Sequence, residues 1–320
     1  MKIYVTRKLA DDLLQILKEK FEVEINVRDE APSKEEIIEK VRDKDGIICL
    51  LTDKIDKDVI DAGKNLKVIS NCAAGYDNVD VEYATKKKIM VTNTPGVLTE
   101  AVAELTIGMI IAIARRFIEA DKLSREGRFK GWDLYFMLGT ELNGKTLGII
   151  GAGKIGSSVA KKAKCLGMNV IYYSRNKKEE LEKIGIHFKP LDELLRISDF
   201  VSIHTPLTKE TYHLIGEREL NLMKKEAFLI NTARGAVIDE KALIKALKEK
   251  RIKGAALDVY EKEPYIPEEL RKLENVLLLP HIGSATWLTR YKMMKLAVEN
   301  LIDALSGKIP RFLVNKEVLK

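Results

Sequence analysis

The sequence predicts an α/β protein of two doubly wound domains, one inserted into the other, on three observations. Short β-type runs alternate with amphipathic helical stretches from end to end, the pattern of parallel sheets covered by helices. The alternation breaks at Thr94-Pro95-Gly96, where a long apolar helix begins near Glu100. A second series of strands then opens on a glycine-rich turn at residues 151–156, and a last helix over residues 285–305 closes the pattern. If that helix packs back on the first domain, the second is an insertion between two chain crossings. The expected division is residues 1–98 plus 288–320 for one domain and 99–287 for the other. At 320 residues the chain is too long for one comfortable core and about right for two.

In order, the first domain offers strands at residues 2–6, 21–26, 46–50, 67–70 and 89–92. Helices fill the gaps; over 33–41, Ser33 can cap and Glu36 can close a capping box. After the long apolar helix comes a turn-rich segment, 127–144, and then strands at 146–150, 169–173, 200–204, 227–231, 254–259 and 276–280. A tail, 309–319, follows the last helix, and no internal repeat or low-complexity linker is visible.

Composition narrows the classes. Hydrophobic residues make up 46% and charged residues 32%, which suits a soluble globular chain. The longest apolar run, 107–114, falls far short of the ~20 residues a membrane span needs. The start, Met1-Lys2-Ile3-Tyr4-Val5, has no signal-peptide character, so a cytoplasmic protein is expected. Cys49, Cys72 and Cys165 show no CxxC spacing, which argues against a disulfide framework or a zinc site, and no metal is expected. The net charge of +7 comes with Lys and Glu interleaved, as over 239–251, and reads as a solvated surface, with no nucleic-acid partner. Abundant Lys and Glu also suits a thermophile.

Gly151-Ala152-Gly153-Lys154-Ile155-Gly156 follows an apolar strand and opens a helix, the context in which GxGxxG signals a Rossmann dinucleotide site. Gly151 permits the tight turn, Gly153 lets the backbone approach a pyrophosphate, and Gly156 lets helix and strand pack closely. The N–H groups and dipole of the helix start then face the phosphates. An NAD site commonly places Asp or Glu at the end of the next strand; here Ser174, Arg175, Asn176, Lys177 and Lys178 stand there. These donors and positive charges favour a 2′-phosphate, so NADP(H) is preferred, with NAD(H) possible.

Three further motifs lie at strand ends, where α/β sheets place ligands: Asn231-Thr232-Ala233-Arg234-Gly235, Leu257-Asp258-Val259-Tyr260-Glu261-Lys262-Glu263-Pro264, and Leu279-Pro280-His281-Ile282-Gly283-Ser284. Reducing a 2-keto acid needs a cation to hold the carboxylate and polarise the carbonyl, and an acid to protonate the new alkoxide. The planar fork of an arginine suits the first task and a histidine the second, with a carboxylate, Glu261 or Glu263, to orient the ring. His204, after an apolar strand, reads as structural or cofactor-adjacent, and His187 and His213 as surface residues. Trp132 and Trp287 read as packing or interface residues, and Leu51, at a first-domain strand end, as a substrate-pocket wall.

With Ala73-Ala74-Gly75-Tyr76-Asp77-Asn78-Val79-Asp80 and Thr92-Asn93-Thr94-Pro95-Gly96, these motifs resemble the D-isomer-specific 2-hydroxyacid dehydrogenase family over nearly the whole chain. Within it the chain looks most like glyoxylate/hydroxypyruvate reductases. Tyr172-Tyr173-Ser174-Arg175 and Leu313-Val314-Asn315-Lys316-Glu317-Val318 are similar to segments of the archaeal glyoxylate reductases. The resemblance implies a Rossmann domain inserted into a flavodoxin-like substrate domain, and hydride transfer from NAD(P)H to a small 2-keto acid. It implies a triad of Arg234, Glu263 and His281, Glu263 being chosen over Glu261 because it directly precedes Pro264. It also implies backbone N–H groups near Ala74 and Gly75 on the substrate carboxylate. Thr205, Pro206, Thr232, Ala233, Asp258 and Gly283 would lie along the cofactor, Asp258 beside the nicotinamide. A homodimer through the dinucleotide-binding domain is implied as well, with the helix after Pro95 and residues 128–144 as its surface. The competing readings are an NAD-linked 3-phosphoglycerate dehydrogenase and a dinucleotide-sensing binding protein of the same fold.

Overall fold

Most of the apolar runs form strands buried residue after residue, as in sheets covered on both faces. The computed structural model describes residues 1–28 and 30–320, and the chain divides into two units, Met1–Leu98 with Ala285–Lys320, and Thr99–Ser284.

The first unit runs β1 (Lys2–Val5), α1 (Asp11–Lys18), β2 (Glu22–Ile25), α2 (Lys34–Val41), β3 (Gly46–Cys49), α3 (Lys57–Ala62), β4 (Val68–Asn71), α4 (Val81–Lys86) and β5 (Met90–Thr92). Its strands are all parallel, in the order β2-β1-β3-β4-β5, the flavodoxin-like order with its switch point between β1 and β3. The capping box forms at the start of α2: Glu36 N donates to Ser33 Oγ at 3.2 Å, and Ser33 N donates to Glu36 Oε2 at 2.8 Å. Ile37, Ile47, Val59 and Ile69 join one core between sheet and helices.

The second unit opens with α5 (Thr99–Ala114) and α6 (Phe117–Arg125), followed by the segment 127–144 without helix or strand. Then come β6 (Thr146–Ile150), α7 (Lys154–Cys165), β7 (Asn169–Tyr173), α8 (Glu179–Glu182), β8 (His187–Phe188), α9 (Leu191–Ile197), β9 (Phe200–Ile203), α10 (Glu217–Leu222), β10 (Phe228–Asn231), α11 (Glu240–Lys248), β11 (Gly254–Leu257), α12 (Glu268–Arg271) and β12 (Val276–Leu278). The parallel sheet has the order β12-β11-β10-β9-β6-β7-β8. Read from β8, that is the Rossmann order with a seventh strand added, and its switch point lies between β6 and β9. The two-residue β8 is too short to show periodicity. Phe188 fixes it by packing edge-on against Tyr172 at 5.9 Å and donating its N–H to Glu182 Oε1 at 2.8 Å.

The chain then returns to the first unit as α13 (Trp287–Leu305), N-capped by Thr286. Ser70 Oγ donates to the Ala297 carbonyl at 2.8 Å, and Asn300 Nδ2 donates to the Asn93 carbonyl at 3.1 Å, so α13 is bonded to the ends of β4 and β5. Both sheets are therefore doubly wound, with the Rossmann unit interrupting the flavodoxin-like one. No helix among the described residues is long and apolar enough to cross a membrane.

Candidate active site

The Rossmann switch point is shaped first by what glycine lacks. Gly151 takes φ +96°, and a Cβ there would lie 2.8 Å from the His204 carbonyl carbon, so the turn after β6 excludes side chains. A Cβ on Gly156 would fall 2.1 Å from the Gly151 carbonyl oxygen. Gly153 is the opposite case: nothing lies within 4 Å of its Cβ position, and no side chain caps α7. The start of a twelve-residue helix is thus left uncapped beside open space, as an incoming phosphate requires. Lys154 at that start is exposed, and Ile155 packs on the core below.

From this turn a cavity of about 330 Å³ extends past Ser174, Arg175 and Asn176 to Thr205 and Pro206. Thr205 Oγ1 is buried there without a protein partner, the state of a hydroxyl that a ligand completes. Lys178 lines the same space, whereas Lys177 sits 5.7 Å from the Phe188 ring. Ser174 Oγ donates to the Asn176 carbonyl at 2.6 Å. The residues fit a dinucleotide. Sequence reasoning missed one carboxylate here, Glu210, whose acidity is strengthened chiefly by the Thr208 hydroxyl at 2.7 Å and also by the charge of Arg175. Its place after β9 points to this cavity only once that strand is set beside β6. His204 also borders the cavity; burial pushes its imidazole down to about 3, so it is neutral, with Nε2 2.9 Å from Ser202 Oγ.

The three strand-end motifs after β10, β11 and β12 converge. His281 Nδ1 lies 2.7 Å from Glu263 Oε2, and Glu263 Oε1 accepts from Tyr260 N at 3.0 Å. Burial works to raise the Glu263 carboxyl, but the hydrogen bond and charge of His281 outweigh it, and the charge of Arg234 adds to the lowering. Arg234 Nη1 donates to the Ala233 carbonyl at 2.9 Å. Asn231 shapes that loop by donating to the Arg234 carbonyl at 2.9 Å and accepting from Ala233 N at 3.0 Å. Gly235 lets the arginine loop seat on the glutamate loop, since a Cβ there would lie 1.8 Å from the Tyr260 carbonyl carbon.

Asp258 is buried, and its two oxygens accept from Ile282 N at 2.7 Å and Gly283 N at 2.8 Å. Burial raises its carboxyl against the pull of those two donors. Its evident work is to hold the loop that carries His281, a residue in the left-handed region at φ +54°. Thr232 Oγ1 lies 3.1 Å from Thr106 Oγ1 of α5. Glu261, the rival of Glu263, is engaged elsewhere: it accepts from Glu240 N at 3.4 Å and lies 3.4 Å from His213 Nε2. His213 is accordingly half-buried rather than a surface residue, while His187 is exposed and pairs with Glu182. Trp132 and Trp287 are 80% and 97% exposed, which removes core packing as their role. Among the described residues no His, Cys, Asp or Glu cluster could hold a metal ion, and burial pushes the Cys72 thiol up to about 12, leaving it inert.

In the first unit, Leu51 follows β3 at the switch point of that sheet and is half-buried. Ala74 and Gly75 lie in the loop after β4, also half-buried.

A sheet of Rossmann order with this cradle is built to bind a dinucleotide. An imidazole bonded to a carboxylate, with an arginine on the neighbouring loop, is equipped to move a proton while charge develops on a carbonyl oxygen. The class so defined is a nicotinamide-dinucleotide-linked oxidoreductase. The chain belongs to the D-isomer specific 2-hydroxyacid dehydrogenase family, whose NAD binding domain matches residues 107–283. It is 52% identical to a glyoxylate reductase of Thermofilum pendens, covering 100% of this chain and 96% of that one. It is 51% identical to a glyoxylate reductase of Thermococcus litoralis, covering 99% and 98%. Among solved structures, the NADPH-dependent glyoxylate/hydroxypyruvate reductase of Sinorhizobium meliloti in complex with NADP and malonate superposes with a TM-score of 0.89 at 34% identity, covering 99% of this chain and 97% of that one.

Proposed function

We propose that this chain is a glyoxylate reductase that also accepts hydroxypyruvate, reducing a small 2-keto acid to the D-2-hydroxy acid with NADPH preferred over NADH. The observation that carries the reading is the His281–Glu263 contact of 2.7 Å at a strand end neighbouring the Arg234 loop. When bound, the nicotinamide supplies the hydride that adds to the keto carbon. Arg234 grips the substrate carboxylate and keto oxygen and steadies the charge that grows there. His281 delivers a proton from Nε2 to the resulting alkoxide, while Glu263 on Nδ1 orients the ring. Asp258 keeps His281 in place through Ile282 and Gly283.

Gly151 to Gly156 and Thr205-Pro206 would hold the dinucleotide, with Ser174, Arg175 and Asn176 at the adenosine ribose. The NADPH preference is supported by Arg175 and Lys178 on the cavity wall and opposed by Glu210. Thr232, Ala233, Asp258 and Gly283 on the cofactor side, and Leu51, Ala74 and Gly75 as substrate contacts, are carried on the family resemblance. We further propose a cytoplasmic homodimer formed through the Rossmann unit. Its support is the run Phe129, Trp132, Leu134, Tyr135 and Leu138, each more than half exposed, an apolar density unusual for a bare surface.

The deciding experiment is a matrix of initial rates, NADH and NADPH against a panel of 2-keto acids including glyoxylate and hydroxypyruvate. Turnover of glyoxylate with a lower KM for NADPH is expected. Equal or better rates with NADH would remove the cofactor preference, and no turnover of any 2-keto acid would remove the function.

A further inference from the structure

The motif Thr92-Asn93-Thr94 and the loop Ala73-Ala74-Gly75-Tyr76 leave neighbouring strands of the first sheet, β5 and β4. Three consecutive carbonyls of that loop are tied down. Ala73 O accepts from Thr94 N at 2.8 Å, Ala74 O from Asn93 Nδ2 at 2.7 Å, and Gly75 O from Asn71 Nδ2 at 2.9 Å. Peptides 73–76 are trans and planar, so each following N–H points opposite to the carbonyl before it. Anchoring these carbonyls therefore turns the N–H groups of Ala74, Gly75 and Tyr76 away from their anchors. Asn71, Asn93 and Thr94 are all buried, whereas Ala74 and Gly75 are half-buried and Tyr76 is exposed. The carbonyls thus face the interior and the N–H groups the outside, and none of the three N–H groups has an acceptor among the described residues.

The anchors are themselves fixed. Asn71 exchanges hydrogen bonds with Asn78 at 3.1 and 3.4 Å. Asn93 is gripped through its backbone, its N–H on the Phe312 carbonyl at 3.3 Å and its carbonyl on Asn300 Nδ2 of α13 at 3.1 Å. An amide side chain is the chemistry required: it donates to a carbonyl without bringing a negative charge near an anionic substrate or a cation that would compete for it.

We infer that Asn93 and Asn71 are positioning residues that aim the N–H groups of Ala74, Gly75 and Tyr76 at the carboxylate of the substrate. The inference rests on the reading that this chain reduces a 2-keto acid, and it adds Tyr76 N–H and the two asparagines to that reading. Pre-aimed donors bind an anion without reorganisation, so releasing one anchor weakens substrate binding and leaves cofactor binding alone.

Asn93→Asp keeps the side-chain shape but, when ionised, has no proton for the Ala74 carbonyl. At pH 8 it should raise KM for glyoxylate about tenfold or more over the native enzyme, with Kd for NADPH changed less than twofold. Lowering the pH until the carboxyl is protonated should bring KM back towards the native value at that pH. Asn93→Ala should show the raised KM at every pH. A native KM for Asn93→Asp at pH 8, or a defect that ignores pH and travels with lost NADPH affinity, overturns the inference. Oxalate titrated into the 15N-labelled native protein with NADP bound gives a reading independent of turnover and of how the variants fold. Shifts at the Ala74, Gly75 and Tyr76 amides support the inference, and unmoved amides overturn it even if glyoxylate is reduced. Shifted amides in a chain that reduces no 2-keto acid would keep this loop as a carboxylate site but remove the proposed function, and with it the substrate this inference names.

Discussion

At the carboxyl ends of the Rossmann strands the candidate site is charged: Arg234, and a histidine and a glutamate 2.7 Å apart. At the carboxyl end of β4, in the flavodoxin-like unit, the equipment is neutral: backbone N–H groups anchored through Asn71, Asn93 and Thr94. On the proposed function the two regions handle different kinds of charge. The first meets, besides the carboxylate that Arg234 grips, charge that changes during reaction, on a keto oxygen and on a moving proton, so it needs groups that can gain, lose or answer charge. The second meets a carboxylate that stays ionised throughout, and fixed dipoles suffice for a charge that never alters. Titratable groups near it would add a pH dependence with no catalytic return.

The hardest way to break this comparison is to remove the proposed proton donor. His281→Ala should lower kcat for glyoxylate reduction by roughly 10²–10⁴, the usual worth of a positioned acid, with Kd for NADPH nearly unchanged. Single-turnover reduction at native speed would mean that the proton comes from elsewhere. Arg234→Ala should cost both KM and kcat, about 10²-fold or more in kcat/KM, because the same fork serves binding and charge stabilisation.

Glu263→Gln tests the pairing more finely. Its carboxyl sits below the ordinary range because the contact with His281 outweighs burial, so the pair is held together by charge as well as geometry. The amide of Gln keeps the shape and loses the charge. The proton-loaded form of the pair should then be lost at lower pH, and the alkaline fall-off of reduction should move down with it, alongside a drop of about tenfold or more in kcat. A pH–rate profile superimposable on the native one would leave Glu263 only a structural part.

Arg175→Ala should be smaller and selective, weakening NADPH by about 10- to 100-fold while NADH changes little, as titrations of each cofactor can read. Glu210→Gln, across the same cavity, should move the ratio the other way. If Arg175→Ala weakens both cofactors alike, the arginine does not read the 2′-position.

How much of this was legible in the sequence follows from the same contrast. Charged side chains announce themselves by type and by position after apolar runs, so Arg234 and His281 stood out as candidates, while Glu263 was taken over Glu261 only on the family resemblance; the glycine spacing pointed to the cradle that Gly151 and Gly156 now explain sterically. Backbone donors leave no such mark. Ala74 and Gly75 entered only through family resemblance, and the roles of Asn71 and Asn93 depend on which carbonyl each amide meets. Strand order is also invisible to periodicity, so Glu210 passed unnoticed until β9 was placed beside β6. Asp258 shows a third limit: the family resemblance set it beside the nicotinamide, but nothing in the sequence marked the backbone N–H groups of Ile282 and Gly283 that its oxygens accept from.

The smallest expected effect sharpens the contrast inside the Rossmann unit, where one histidine is made to stay neutral. Burial takes His204 down to about 3, against an ordinary value near 6.5 in the unfolded chain. Between those values the unfolded chain binds a proton that the folded one refuses. Stability is therefore lost as pH falls through about 6.5 towards 3, and it is retained above that window. The slope is at most about 1.4 kcal/mol per pH unit for one proton, and less here because His204 is not wholly enclosed. His204→Gln removes this contribution. Denaturant unfolding at pH 7, 5.5 and 4.5 should show the native protein losing stability relative to the variant as pH drops, with the difference between them flat above pH 7. Parallel stability curves through the whole range would mean that His204 takes up its proton in the folded state, and that a neutral imidazole beside the cofactor cavity is not enforced by the fold.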